Sequence, residues 1–142
     1  MTYQIVYSSA SSEKMPKSKL YQILRQARLG NAKRGVTGIL VFADNTFFQV
    51  LEGQEDVVRS LMQKITPDKR HRDVKIIFEG QVAAPAFSSW EMAYVSTNAQ
   101  EMAAWAGLRS TTTLDDTLDH LRSTPSHVPD LLLKLIGAIS EP

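Results

Sequence analysis

Residues 2–9 alternate between two faces, with Tyr3, Ile5, Tyr7 and Ser9 on one of them, and this period of two predicts a first strand. A polar link over Ser11–Lys14 leads to Pro16, a residue suited to the first turn of a helix. Leu20, Ile23, Leu24, Ala27 and Asn31 then fall on one helical stripe, whose last member is an amide; Gly35 marks the exit. Val36–Ala43 is apolar on both faces, as in a strand covered on both sides. Asp44-Asn45 predicts a tight turn into a strand over Thr46–Leu51. Gly53-Gln54-Glu55-Asp56 opens a second helix with acidic residues at its positive end, and Val58, Leu61, Met62 and Ile65 form its stripe. Thr66-Pro67 ends it, and strands are predicted over Asp73–Val82 and Ser88–Val95.

The order β-α-β-β-α-β with a further strand predicts an α+β fold: the ferredoxin-like motif extended by a fifth strand, with both helices on one sheet face. The tail supplies cover for the other face. Asn98-x-x-Glu101 and Thr113-x-x-Asp116 resemble capping boxes. Leu114, Leu118 and Leu121 make one stripe; Val128, Leu132, Leu135, Ile136 and Ile139 make another. Residues 1–96 are therefore expected to form the ligand-binding domain, and 97–142 a helical extension of the same unit. His120 and His127 read as surface residues near helix ends.

Gln49 breaks the hydrophobic logic. In the run Phe47-Phe48-Gln49-Val50-Leu51-Glu52-Gly53 it shares a strand face with Phe47 and Leu51. An unpaired amide there would cost about 1–3 kcal/mol, so a polar partner must meet it. Strands one and three are neighbours in a ferredoxin-like sheet, so Tyr7 and Gln49 can hydrogen-bond if both face the helices. The inter-helix groove would then have Tyr7 and Gln49 as its floor and Leu24, Asn31 and Ile65 as walls. A planar aromatic ligand with polar edges fits such a groove.

Composition narrows the chemistry. Among 142 residues, 16 basic and 15 acidic side chains give a net charge of +1, no electrostatic case for nucleic acid or an anionic membrane. The chain has no cysteine, which excludes disulfides, thiolate catalysis and cysteine-based zinc sites. The apolar run Leu131–Ile139 is interrupted by Lys134 and too short to span a bilayer. With no signal-peptide pattern at the N-terminus, a soluble cytoplasmic domain is expected.

The stretches Tyr7-Ser8-Ser9, Asn31, Val36-Thr37-Gly38, Phe47–Gly53, Asp68-Lys69-Arg70-His71 and Phe87-Ser88-Ser89-Trp90-Glu91-Met92 together resemble BLUF domains, flavin-based blue-light sensors. The resemblance covers residues 2–95, in order and in register. It implies a non-enzymatic photoreceptor that binds FAD, or FMN or riboflavin in its place, without a covalent bond. It also implies that Tyr7 gives an electron and a proton to excited flavin and that Gln49 rearranges its amide against the ring. Asn31 would fix the pyrimidine edge. Asp68, Arg70 and His71 would hold the ring edge and the ribityl-phosphate side, with Lys64 as another basic ligand. Trp90 and Met92 would relay the change to the tail, and thence to a separate effector protein or a homo-oligomer interface, through surfaces near Trp105, Leu108 and the Leu131–Ile139 helix. Two positions depart from the family pattern: Gly30, where a polar side chain is more usual, and Pro85, where an arginine is.

Singly, Tyr7 reads as a core tyrosine, Asn31 as a helix C-cap and Asp68–His71 as a solvated loop; their joint occurrence favours the sensor. Two alternatives remain open here. Arg34-Gly35-Val36-Thr37-Gly38 faintly resembles the phosphate loop of acylphosphatases, which share the topology, though Ile39, Leu40 and Val41 stand where an arginine would be needed. The other alternative is a light-insensitive ligand-binding module.

Overall fold

A five-stranded mixed sheet of order β4-β1-β3-β2-β5 carries the molecule. The computed structural model describes residues 2–108 and 112–139. Its elements are β1 (Thr2–Ser11), α1 (Lys17–Arg34), β2 (Thr37–Ala43), β3 (Thr46–Gly53), α2 (Glu55–Ile65), β4 (His71–Val82), β5 (Ala93–Thr97), α3 (Ala99–Trp105), α4 (Leu114–Ser123), a 3₁₀ turn (Pro125–His127) and α5 (Val128–Ala138). The order of β1 to β4 is ferredoxin-like, and β5 adds to the β2 edge in parallel.

Local chemistry sets the boundaries. α1 ends at Gly35, which takes the left-handed conformation at φ 69°. The β2–β3 turn is made by Asp44 and Asn45, both at positive φ, the conformation of a type I′ hairpin. Gly38 answers to a close approach: a Cβ there would lie 1.9 Å from the Val50 carbonyl oxygen. The predicted caps hold, with the Asn98 side chain accepting from the Glu101 N–H and Thr113 from the Asp116 N–H.

Two cores flank the sheet. Tyr3, Ile5, Tyr7, Leu40 and Leu51 face α1 and α2, where Leu20, Leu24, Val58 and Met62 meet them. Val6, Ile39, Val41, Phe48 and Val50 face the tail, where Met102, Leu118, Leu121, Leu131 and Leu135 complete a second core. The tail helices therefore share a core with the sheet.

Two expectations are corrected. The last strand starts at Ala93, not Ser88. The backbone before it is bonded elsewhere: Trp90 N–H closes a turn on the Phe87 carbonyl, Gly38 N–H bonds the Trp90 carbonyl, and the Ala86 and Phe87 N–H groups donate to Glu52. Those groups are thereby unavailable to a β ladder. The two histidines are not independent surface residues: His120 Nε2 and His127 Nδ1 lie 2.6 Å apart in a half-buried pair joining α4 to the turn before α5.

Replacing Leu135, fully buried in the tail core, by Ala should lower the free energy of unfolding in urea by about 2–5 kcal/mol. The loss should come in a single transition if tail and sheet unfold together. Gly38→Ala should destabilise by about 1–3 kcal/mol or more, whereas Gly30→Ala should not, because its Cβ would meet only the far end of the long Arg34 side chain, which can shift aside.

Candidate functional site

Tyr7 and Gln49 are direct cross-strand partners in the β1–β3 register, so both side chains leave the sheet on the α1/α2 face. The Tyr7 hydroxyl donates to Gln49 Oε1, and Gln49 Nε2 donates to the Met92 sulfur at 3.6 Å. All three side chains are buried, Tyr7 at 3% exposure, Gln49 at 8% and Met92 at 1%. Burial, with the Asp68 charge adding to it, pushes the ionisation of the Tyr7 phenol well above its ordinary range. A thioether is a weak acceptor, so the amide N–H is poised toward anything better that enters the groove.

That groove is a cavity of about 200 Å³ between α1 and α2. Ile23, Ala27, Leu40, Leu61 and Ile65 give it apolar walls, while Asn31, Arg34, Asp68, Arg70 and His71 supply polar edges. Asn31 is 2% exposed and donates to the Glu91 carbonyl at 2.7 Å. Its amide has a second N–H hydrogen and an oxygen to offer. The Arg34 guanidinium lies over Gly30, 2.5 Å from where a Cβ would stand, so a cation reaches the place beside Asn31 where residue 30 has no side chain.

The other rim is built by irregularity in β4. Its register against β1 shifts between Val6 and Tyr7 and again between Ser8 and Ala10, with Asp73 at φ 55°. Such bulges bend a strand and re-aim its side chains. His71 arrives edge-on to Tyr7, ring centroids 6.4 Å apart, between the Ser9 hydroxyl and the Ile65 carbonyl, each at 2.7 Å. Since a carbonyl only accepts, His71 Nε2 carries hydrogen, and in the neutral ring Nδ1 accepts from Ser9. Arg70 grips Asp68 at 2.6 Å and Gln26 at 2.8 Å. Its guanidinium holds the Asp68 carboxyl below the usual carboxylate range.

Of the residues expected at the site, Tyr7, Asn31, Gln49, Ile65, Asp68, Arg70 and His71 line the cavity. Leu24 instead lies in the core beneath α1, and Lys64 is exposed, outside the lining. Trp90 and Met92 do not share a face: Met92 meets Gln49 on the helix side, while Trp90 packs with Phe87 against the tail core. Sequence reading did not assign Gln26 or Arg34 to the site. The available signal was the stripe 23, 26/27, 30/31, 34, rotated slightly from the core stripe of α1. The Gly35–Gly38 stretch is no phosphate cradle, because the N–H groups of Gly35, Val36 and Gly38 donate to the Asn31 and Trp90 carbonyls.

A family model described as sensors of blue light using FAD (BLUF) matches residues 2–93. The chain belongs to the BLUF family. Among solved structures, BlsA in its photo-activated state aligns at TM-score 0.80 and 31% identity, over 95% of this chain and 94% of that one. BlrB, described as a BLUF protein in the dark state, aligns at TM-score 0.76 and 26% identity over 97% of each chain. Photoactivated adenylate cyclase subunit beta of Euglena longa is 27% identical over 138 residues, 97% of this chain but 16% of its own length. The blue light- and temperature-regulated antirepressor BluF of Escherichia coli (strain K12) is 34% identical over 74 residues, 52% of this chain and 18% of its own. The chain thus spans under a fifth of these two curated relatives, whose further segments it does not match. In this BLUF domain the cavity's chemistry suits a flavin: apolar walls for a planar ring, amides for its polar edge and cations at the rim. No helix among the described residues is long and apolar enough to cross a membrane.

Because the folded state raises the Tyr7 ionisation, it keeps the phenolic proton past about pH 10, where an unfolded tyrosine releases it. The associated stability is fully present below that pH and lost as pH rises through the folded value. Urea midpoints of the wild type should therefore fall more steeply than those of Tyr7→Phe above about pH 10, and the two curves should run parallel between pH 7 and 9.

Proposed function

We propose that this BLUF domain holds FAD non-covalently between α1 and α2 and reports blue light through the hydrogen bonds of Gln49 to a separate effector protein. The observation that carries this reading is the buried Tyr7–Gln49–Met92 chain, whose first two members form the floor of the cavity. FMN or riboflavin would present the same ring to the same walls, and the names of BluF and the photoactivated cyclases motivate the effector. Supporting FAD in particular are the family's description and the cationic rim of Arg34 and Arg70, suited to a phosphorylated tail.

Bound flavin would supply the blue absorption and, when excited, a strong electron acceptor. The protein's own part is proton placement. Tyr7 Oη holds its proton against Gln49 Oε1, and the surrounding burial keeps competing water away. Once the phenol is depleted of electron density its proton is acidic, and Gln49 Oε1 is the acceptor in contact. The amide can then turn or tautomerise, exchanging donor for acceptor at each neighbour. Turning removes the Nε2–H contact from the Met92 sulfur and frees that side chain. No bond to the cofactor is required, so thermal reversal in the dark is expected. Asn31 orients the ring's polar edge throughout, and Asp68–Arg70 closes the rim.

Absorption spectra before and after blue illumination test the reading: the purified protein should be yellow and show a reversible red shift. A colourless protein that takes up no added flavin would sink it. Tyr7→Phe and Gln49→Leu should each retain flavin and lose the shift. Asn31→Ala removes hydrogen bonds worth about 1–1.5 kcal/mol, so flavin affinity should fall by about tenfold by fluorescence titration.

A further inference from the structure

Glu52 sits on β3 three residues beyond Gln49, but on the tail side of the sheet. It is fully buried at 0% exposure. Its carboxylate accepts four hydrogen bonds: from Gln4 Nε2 at 3.0 Å, Thr37 Oγ1 at 3.4 Å, the Ala86 backbone N–H at 2.7 Å and the Phe87 backbone N–H at 3.0 Å. Among the described residues no cation forms an ion pair with it. A desolvated charge held only by N–H and O–H donors is an expensive way to fill a core position. Two of the donors belong to the 83–92 loop, and a hydrocarbon at position 52 would leave both loop N–H groups without acceptors.

The same loop is held at its far end from the cavity side. Asn31 donates to the Glu91 carbonyl, Arg28 to the Met92 carbonyl at 2.8 Å, and Gln49 to the Met92 sulfur. One strand, β3, therefore touches the loop at both ends, through Glu52 on the tail side and Gln49 on the cavity side. The contacts differ in kind. At Glu52 two charge-assisted bonds seize backbone; at Gln49 a neutral N–H meets a thioether. Between them stands Trp90, its ring tilted against Phe87 at 6.1 Å between centroids and packed against the tail core.

We propose that Glu52 is a positioning residue: the fixed anchor of the 83–92 loop, about which release of Met92 by Gln49 moves Trp90 against the tail helices. This deepens the photosensor reading and rests on it. Without the anchor, the same release would be absorbed as slack at Ala86–Phe87, and α4 and α5 would not receive it.

The test is Glu52→Gln in the full flavin-loaded chain. The amide keeps the size but replaces one acceptor oxygen by a donor, so at least one loop N–H loses its partner. In the dark, amide hydrogen exchange read by NMR should be at least about tenfold faster at Ala86 or Phe87, a change equivalent to about 1.4 kcal/mol. Flavin content and the light-induced red shift should match the wild type, because Tyr7, Gln49 and Asn31 are untouched. The light-minus-dark change in exchange across α4 and α5 should drop by half or more. Ala86→Pro, which deletes one donor and leaves the carboxylate in place, serves if Glu52→Gln does not fold: dark exchange, read at Phe87 alone because proline has no N–H, should be faster, and the response of α4 and α5 should drop likewise. Unchanged dark exchange at 86 and 87, loss of flavin, or a wild-type response in α4 and α5 would each overturn the anchor. A wild-type chain with no red shift would instead defeat the photosensor reading, with the dark exchange at 86 and 87 still deciding whether Glu52 holds the loop.

Discussion

One cross-strand pair constrains everything else in this molecule. Tyr7 and Gln49 meet only because β1 and β3 are adjacent and paired in this register. A slip of one residue would send one of the two side chains to the tail face and leave a buried phenol facing hydrocarbon. The β-α-β-β-α-β order is what makes β1 and β3 neighbours, and it places α1 and α2 over the same face. The cavity is thus a consequence of topology: a groove between two helices above a hydrogen-bonded polar pair whose amide nitrogen meets only a thioether. The bulges in β4 add the last wall, since a straight strand would not bring His71 edge-on to Tyr7.

The sheet separates two environments, and the means of joining them is the 83–92 loop. On a regular strand Trp90 and Met92, two apart, would share a face. Here the backbone leaves the ladder before Ala93, and the two side chains part to opposite sides. Met92 touches the amide on the cavity side while Trp90 lies in the core that the tail helices complete. A local change at the cavity therefore has a covalent route of two residues to the tail.

Most of this was legible in the residues. The strands and helices announced themselves by period, the caps by their side chains, and the site by one amide in an apolar run. The two tail-core stripes over Leu114–Leu121 and Val128–Ile139 were likewise readable. What escaped was decided by groups without a period. The late start of β5 depends on where backbone N–H groups at 86, 87 and 90 find acceptors, which no alternation encodes. Lys64 and Arg34 are long cations near helix ends; only the three-dimensional path of α1 and α2 brings one over Gly30 and leaves the other outside the cavity lining. The charge of Glu52 marks it for the surface on composition alone, and its four donors come from positions 4, 37, 86 and 87. The His120–His127 pair escaped for a related reason: seven residues apart, they meet only because a 3₁₀ turn folds the chain back.

The proposed switch would need two arrangements of Gln49 close in free energy, and its contacts suit that requirement. In the present orientation its oxygen accepts from Tyr7 and its nitrogen faces sulfur. Reversed, the nitrogen would donate to the phenol oxygen, and the oxygen would stand where the nitrogen now meets the Met92 sulfur. The exchange gives up a weak N–H···S contact and turns the Tyr7 hydroxyl from donor to acceptor, so its hydrogen must find another partner. Had Met92 been a strong acceptor such as a carboxylate, the amide would be locked; had it been a hydrocarbon, the N–H would be orphaned in the resting state. A thioether sits between these limits. Under the proposed relay, softness at Met92 and firmness at Glu52 would be complementary: one end of the loop would let go readily and the other would not, so that the rearrangement of a single amide reached Trp90 undissipated.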